Sequence, residues 1–160
     1  VADLWRTLGV SAEEVFMSTV PAVVVGVDGS EHSGRALRWA IDEAKVHGWP
    51  LLLVHGIELG VAAASPYGSG VVLEQLQEAG QQVLDEALRV VNDAGLQAET
   101  RMEVGSSAHA LIEASRGAAM LVVGSRGHGG FAGLLLGSVS SACVHHAHCP
   151  VVILRPPNRT

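Results

Sequence analysis

The chain has 160 residues, 48% of them hydrophobic and only 4% aromatic, with 16% charged and a formal net charge of −6. That length supports one domain with a core of Val, Leu, Ile and Ala, and so low a charged fraction excludes disorder over most of the chain. The acidic balance excludes the basic footprint of a non-specific nucleic-acid binder and a polybasic membrane anchor, and every apolar run breaks well short of the roughly 18 residues that span a bilayer.

Residues 1–20 read apart from the rest. Ser11 and Glu14 fit a capping box ahead of Val15 and Phe16, so a short helix is expected there. The segment lacks the basic and apolar regions of a signal peptide. It is read as an appendage to a domain over 21–156, with 157–160 as a tail. Two cysteines, Cys143 and Cys149, do not make a disulfide framework, and a reducing cytoplasm is the simplest compartment.

From Ala22 the pattern alternates strand and helix. Residues 22–27 (AVVVGV) are apolar on both faces, as in a parallel strand covered on two sides, and end at Asp28-Gly29-Ser30. Ala36, Leu37, Ala40, Ile41 and Ala44 recur at helical spacing and close at Gly48-Trp49-Pro50. Leu51 to Val54 is a second buried strand, and 58–70 is a loop marked by Ser65-Pro66-Tyr67-Gly68. A long amphipathic helix follows, with Val72, Leu73, Leu76, Val83, Leu84, Ala87, Leu88 and Val91 on one face. Leu96 to Val104 alternates like an outer strand. Ser106 or Ser107 caps a helix carrying Leu111 and Ile112, 119–123 is the fourth strand, 138–146 the last helix, and 151–154 the fifth strand, stopped by Pro156-Pro157. Five strands separated by four helices predict an α/β fold: an open, doubly wound parallel sheet with helices on both faces.

The segment GSRGHGGFAGLLLGSVSS, residues 124–141, carries the chemistry. Gly124, Gly127, Gly137 and Ser138 give G-x2-G-x9-G-S at a strand-to-helix junction. Glycines there let backbone N–H groups turn toward an anion, and Gly137-Ser138 stands at the N-terminus of the last helix, where the dipole favours phosphate. If the strand order is 3-2-1-4-5, strand four neighbours strand one, and the switch point lies between them. Asp28 then faces Gly124 across the crevice, where a carboxylate accepts from ribose hydroxyls or a purine edge. The competing reading is that the glycines only end a strand and cap a helix. There is no G-x-x-x-x-G-K-[ST] and no G-x-G-x-x-G, and the single lysine, Lys45, lies on the first helix. Arg126 is the one cation inside the motif, free to meet a phosphate or point to solvent.

These residues, with VVVGVDGS near the start and HCPVVILRP at the end, resemble the universal stress protein family of the ATP-binding type, over about 21–156. The resemblance implies the strand order 3-2-1-4-5 and ATP in the crevice, with Mg2+ on its phosphates as an option. It implies that Asp28 contacts ribose, that Gly26 lies beside the nucleotide, and that the backbone of Gly56 meets adenine. It further implies a phosphate-binding stretch of Gly124, Ser125, Arg126, Gly127, Gly137, Ser138 and Val139, and a homodimer formed through 151–154.

The segment from Cys143 to Cys149 is richer in His and Cys than that family leads one to expect. His145 and Cys149, at i and i+4, could serve zinc or copper. Against this, Val139, Ala142, Cys143 and His146 fall on one helical face, expected to be the core face, and the adopted reading is buried thiols and a capping histidine with no metal. Trp39 and Trp49 read as helix-packing or surface residues. No catalytic residue is assigned. Without a Walker lysine or a G-x-S-x-G elbow, the expectation is a nucleotide-binding regulator of stress responses with an unknown protein partner. The alternatives are a nucleotide-independent interaction protein and a slow ATPase.

Overall fold

The computed structural model describes residues 20–58, 69–128 and 135–156. The expectations for 1–19, for 59–68 within the first long loop, for 129–134 and for 157–160 lie outside the described residues.

Each strand forms where β-branched or leucine runs are bounded by turn residues. β1 (Val23–Gly26), β2 (Leu51–Ile57), β3 (Ala98–Val104), β4 (Met120–Gly124) and β5 (Val151–Leu154) make one parallel sheet in the order β3-β2-β1-β4-β5. The intervening helices are α1 (Glu31–His47), α2 (Ser69–Asp93), α3 (Ser107–Ala114) and α4 (Ser138–His146). The doubly wound α/β fold and its strand order are as the sequence leads one to expect.

Alternation along β1 splits the core. Val23 and Val25 join Ala36, Leu37, Ala40 and Ile41 of α1 and Leu84, Ala87 and Val91 of α2 on one face. Val24 joins Ala110, Leu111 and Ala114 of α3 and Cys143 of α4 on the other. Trp39 and Trp49 are partly buried against the first cluster, and Trp49 stacks on His47 at 4.2 Å between ring centroids. Helix α1 starts because the Ser30 hydroxyl accepts from Ser33 N, and it stops because Gly48 takes the left-handed conformation and donates back to Ala44 O.

Three local expectations need correction. β2 runs to Ile57 rather than ending at Val54, because His55, Gly56 and Ile57 pair with Met102, Glu103 and Val104 of β3. Polar His55 and small Gly56 look like a strand end in isolation, but a neighbouring strand sets the length. Cys143 is fully buried, as its helical face requires, whereas His146, the last residue of α4, is exposed. Cys149 is only half-buried. Burial, reinforced by the neighbouring Cys149, pushes the Cys143 thiol up to about 11, and burial also raises Cys149. Neither is an activated thiolate. No His, Cys, Asp or Glu cluster able to hold a metal exists among the described residues. No helix among them is long and apolar enough to cross a membrane.

Candidate functional site

The strand order places β1 and β4 side by side with connections running to opposite faces, so a crevice opens beyond their C-terminal ends. A cavity of about 420 Å3 occupies it. That volume lies at the low end of small-molecule sites.

The β1 wall is Gly26, Val27 and Asp28, with Ser33 behind. Asp28 is held by its own turn: Oδ1 accepts from Ser30 N at 2.9 Å, and Ser33 Oγ lies 3.4 Å from Asp28 N. Burial alone would raise its pKa. Hydrogen bonds from Ser30 and Ser33 outweigh burial, with help from His128 nearby, and hold the carboxyl below its ordinary value. An ionised carboxylate is therefore built into the crevice wall. Its stabilising contribution is complete above about pH 4 and is lost as the pH falls through its lowered value. Asp28→Asn should flatten that part of the acid-unfolding curve. Unfolding free energies measured from pH 6 to pH 2 check this, and wild-type and variant curves that run parallel would contradict it.

The β4 wall is Gly124, Arg126 and Gly127, with His128 beyond. Space, more than backbone conformation, demands the glycines here. A Cβ on Gly124 would stand 2.7 Å from the His32 carbonyl carbon of α1, and one on Gly127 would stand 2.5 Å from Asp28 Oδ2. His128 Nε2–H donates to Asp28 O at 2.9 Å, tying the two walls together at the mouth. Arg126 faces the cavity, and its Nε is buried with no hydrogen-bond partner among the described residues. A buried donor without an acceptor costs about 1–3 kcal/mol.

Helix α4 closes this end of the cavity with Gly137, Ser138 and Val139. Gly137 is the N-cap in extended conformation and makes no side-chain cap bond, so the first N–H groups of α4 are not covered by a capping side chain. Ser140, which the sequence reading did not single out, fixes this arrangement: its buried hydroxyl donates to Ser125 O at 2.9 Å, while Gly137 N donates to the same oxygen at 2.8 Å. Ser125 is itself 1% exposed and does not line the cavity; it anchors the loop, its N–H donating to Leu154 O of β5.

The β2 end carries Val54, His55, Gly56 and Glu58, with Ser107 and Leu111 of α3 facing them. Of these, only Gly56 was expected at the site from the sequence. The others come from segments about fifty residues apart, and no local spacing marks them. Gly56 is pressed onto α3: a Cβ there would lie 2.5 Å from Ser107 Cα.

A doubly wound α/β domain with a polar crevice at its switch point is the class that fold and site define. The family model described as "Universal stress protein family" matches residues 20–155. A universal stress protein of Mycolicibacterium smegmatis is 40% identical over 144 residues, covering 86% of this chain and 49% of its own. One from Mycobacterium tuberculosis is 39% identical over 139 residues, covering 82% and 46%. The chain thus spans about half the length of the curated relatives it matches. Among solved structures, UspA from Lactobacillus plantarum superposes with a TM-score of 0.76 at 21% identity, over 85% of this chain and 98% of that one. A universal stress protein in complex with cAMP superposes with a TM-score of 0.61 at 31% identity, over 84% and 97%. This chain belongs to the universal stress protein family.

Proposed function

We propose that the domain over 21–156 binds an adenine nucleotide in the switch-point crevice and acts as a nucleotide-dependent regulator in a cytoplasmic stress response. The observation that carries this reading is the split anion cradle: Gly127 and Arg126 on β4's side and Gly137-Ser138 at the start of α4, with Asp28 opposite. The shielded Arg126 donor, which has no partner among the described residues, belongs to a guanidinium poised for an anion. The complex of a 31% identical universal stress protein with cAMP supports the same ligand class.

In this reading Asp28 accepts from ribose hydroxyls, and Gly127, Arg126, Gly137 and Ser138 hold phosphate. ATP fits that donor set, and a Mg2+ ion would arrive on its phosphates and neutralise part of their charge. The role of this chain's residues is to bind and orient. Arg126→Ala should weaken ATP binding at least about tenfold, as expected for loss of a charge-assisted hydrogen bond. Calorimetric titration tests it, and an unchanged affinity would remove Arg126 from the phosphate site.

The two sheet edges favour a homodimer through 151–154. Edge strand β3 carries Glu99, Arg101 and Glu103, the charges that discourage strand addition, whereas β5 (Val151-Val152-Ile153-Leu154) is wholly apolar and only partly covered. Apposing two copies of β5 would cover both edges.

A further inference from the structure

We propose that His55 is a positioning residue: it fixes the main chain that carries Asp28, and so lets the site discriminate between nucleotides with and without ribose hydroxyls. The inference rests on the nucleotide reading above, in which Asp28 accepts from ribose. Asp28 stands past the last paired residues of β1, since the register with β4 ends at Val25 and that with β2 at Gly26.

Beyond that point side chains take over from strand partners. Val27 N still donates to Val54 O at 3.0 Å, but Val27 O accepts from His55 Nδ1–H at 2.8 Å. Asp28 N donates to Ser33 Oγ at 3.4 Å, and Asp28 O accepts from His128 Nε2–H at 2.9 Å. A carbonyl oxygen only accepts, so each imidazole carries a proton on the nitrogen that meets it. His128 is exposed at the mouth, whereas His55 is held from behind. Along β2, Leu51, Leu53 and His55 alternate with Leu52, Val54 and Gly56, and Gly56 is the residue that meets α3. The His55 ring therefore stands on the α2 side of the sheet. There a Cβ on buried Gly80 would come within 2.9 Å of His55 Cδ2 and 3.0 Å of Met102 Sδ. A ring seated between α2 and β3 anchors Val27, and through it the orientation of the neighbouring Asp28 carboxylate. Val27 is 5% exposed, so loss of the donor would leave a buried carbonyl unpaired and free the turn to shift.

The test compares ATP with dideoxy-ATP, which lacks both ribose hydroxyls, by titration into the full chain and its His55 variants. The unaltered chain should prefer ATP by about tenfold or more. His55→Leu is of similar size but has no N–H. It should weaken ATP about tenfold, leave dideoxy-ATP within about threefold, and so erase the preference. His55→Asn carries an amide N–H where Nδ1–H stood and should restore the preference, even though it fills the space beside Gly80 less well. If His55 serves packing alone, the leucine variant will keep the preference and the asparagine variant will only melt lower, which overturns the proposal. Should His55→Leu not fold, His55→Met, flexible and equally without a donor, takes its place with the same two readings. Equal binding of ATP and dideoxy-ATP by the unaltered chain also overturns the proposal while leaving the nucleotide reading intact. Binding of neither removes that reading and this one with it.

Discussion

Gly56→Ala should destabilise the chain by about 3 kcal/mol, lowering its melting temperature by roughly 6–12 °C. The new methyl carbon would lie 2.5 Å from Ser107 Cα and 2.8 Å from Ser107 Cβ. Because the nearest atom is backbone, no rotamer change relieves the contact, and the first turn of α3 has to lift off β2. That movement would also stretch the Ser107 Oγ–Gly56 O bond and the Ser107 N–Glu58 bond. The effect therefore falls in the upper part of the range for overpacked cores. Gly70→Ala is the matching control. It lies near the start of α2 with no atom of the described residues within 4 Å of its added methyl, and there alanine should be neutral or stabilise by up to about 1 kcal/mol. Differential scanning calorimetry of both variants checks the pair. Equal melting temperatures would mean that α3 is not seated on Gly56.

Gly137→Glu should abolish nucleotide binding while leaving the fold nearly untouched. Gly137 has φ −78° and ψ 171°, a conformation open to any residue, and its added Cβ would come no nearer than 3.5 Å to Arg126 Cα. Stability is therefore retained, and a carboxylate near a helix N-terminus is mildly favourable. The same carboxylate repels phosphate and competes for Arg126. Two like charges about 4 Å apart at an effective dielectric near 20 repel by about 4 kcal/mol, so a loss of about 100-fold or more is expected. Gly137→Ala supplies bulk without charge and should stay within about threefold of the unaltered chain. If titration finds the glutamate variant binding normally at an unchanged melting temperature, phosphate does not lie at the start of α4.

How much of this was legible in the sequence depended on how local each signal was. The bounds of α4 and β5 follow from Gly137-Ser138 on one side and Pro156 on the other, and they stand as read. The buried face of α2 follows from its apolar period: Leu84, Ala87 and Val91 are buried and Val72, Leu73, Leu76, Val83 and Leu88 half-buried. The end of β2 was not legible, because the ladder to β3 extends it through residues whose own preferences argue against a strand. Nor was the exposure of His146, since helical period does not say whether the last residue of a helix meets a neighbouring element.

The site divides in the same way. Gly124, Arg126, Gly127, Gly137, Ser138 and Asp28 sit at junctions that the strand–helix alternation marks, and all of them line the crevice. Ser125 sits in the same motif yet serves as its anchor, a distinction that spacing alone cannot make. Glu58, Ser107 and His55 reach the cavity only because β2 lies between β1 and β3 with α3 behind it. Their roles come from contacts spanning 28 to 51 residues of chain.

Titration calorimetry of nucleotide-free, refolded chain with AMP and with ATP tests nucleotide binding most directly. A saturable single-site isotherm for an adenine nucleotide, lost in Gly137→Glu, is expected. A flat isotherm for both, from protein with an intact α/β circular dichroism spectrum and a cooperative melt, would contradict it and leave the glycines as loop punctuation.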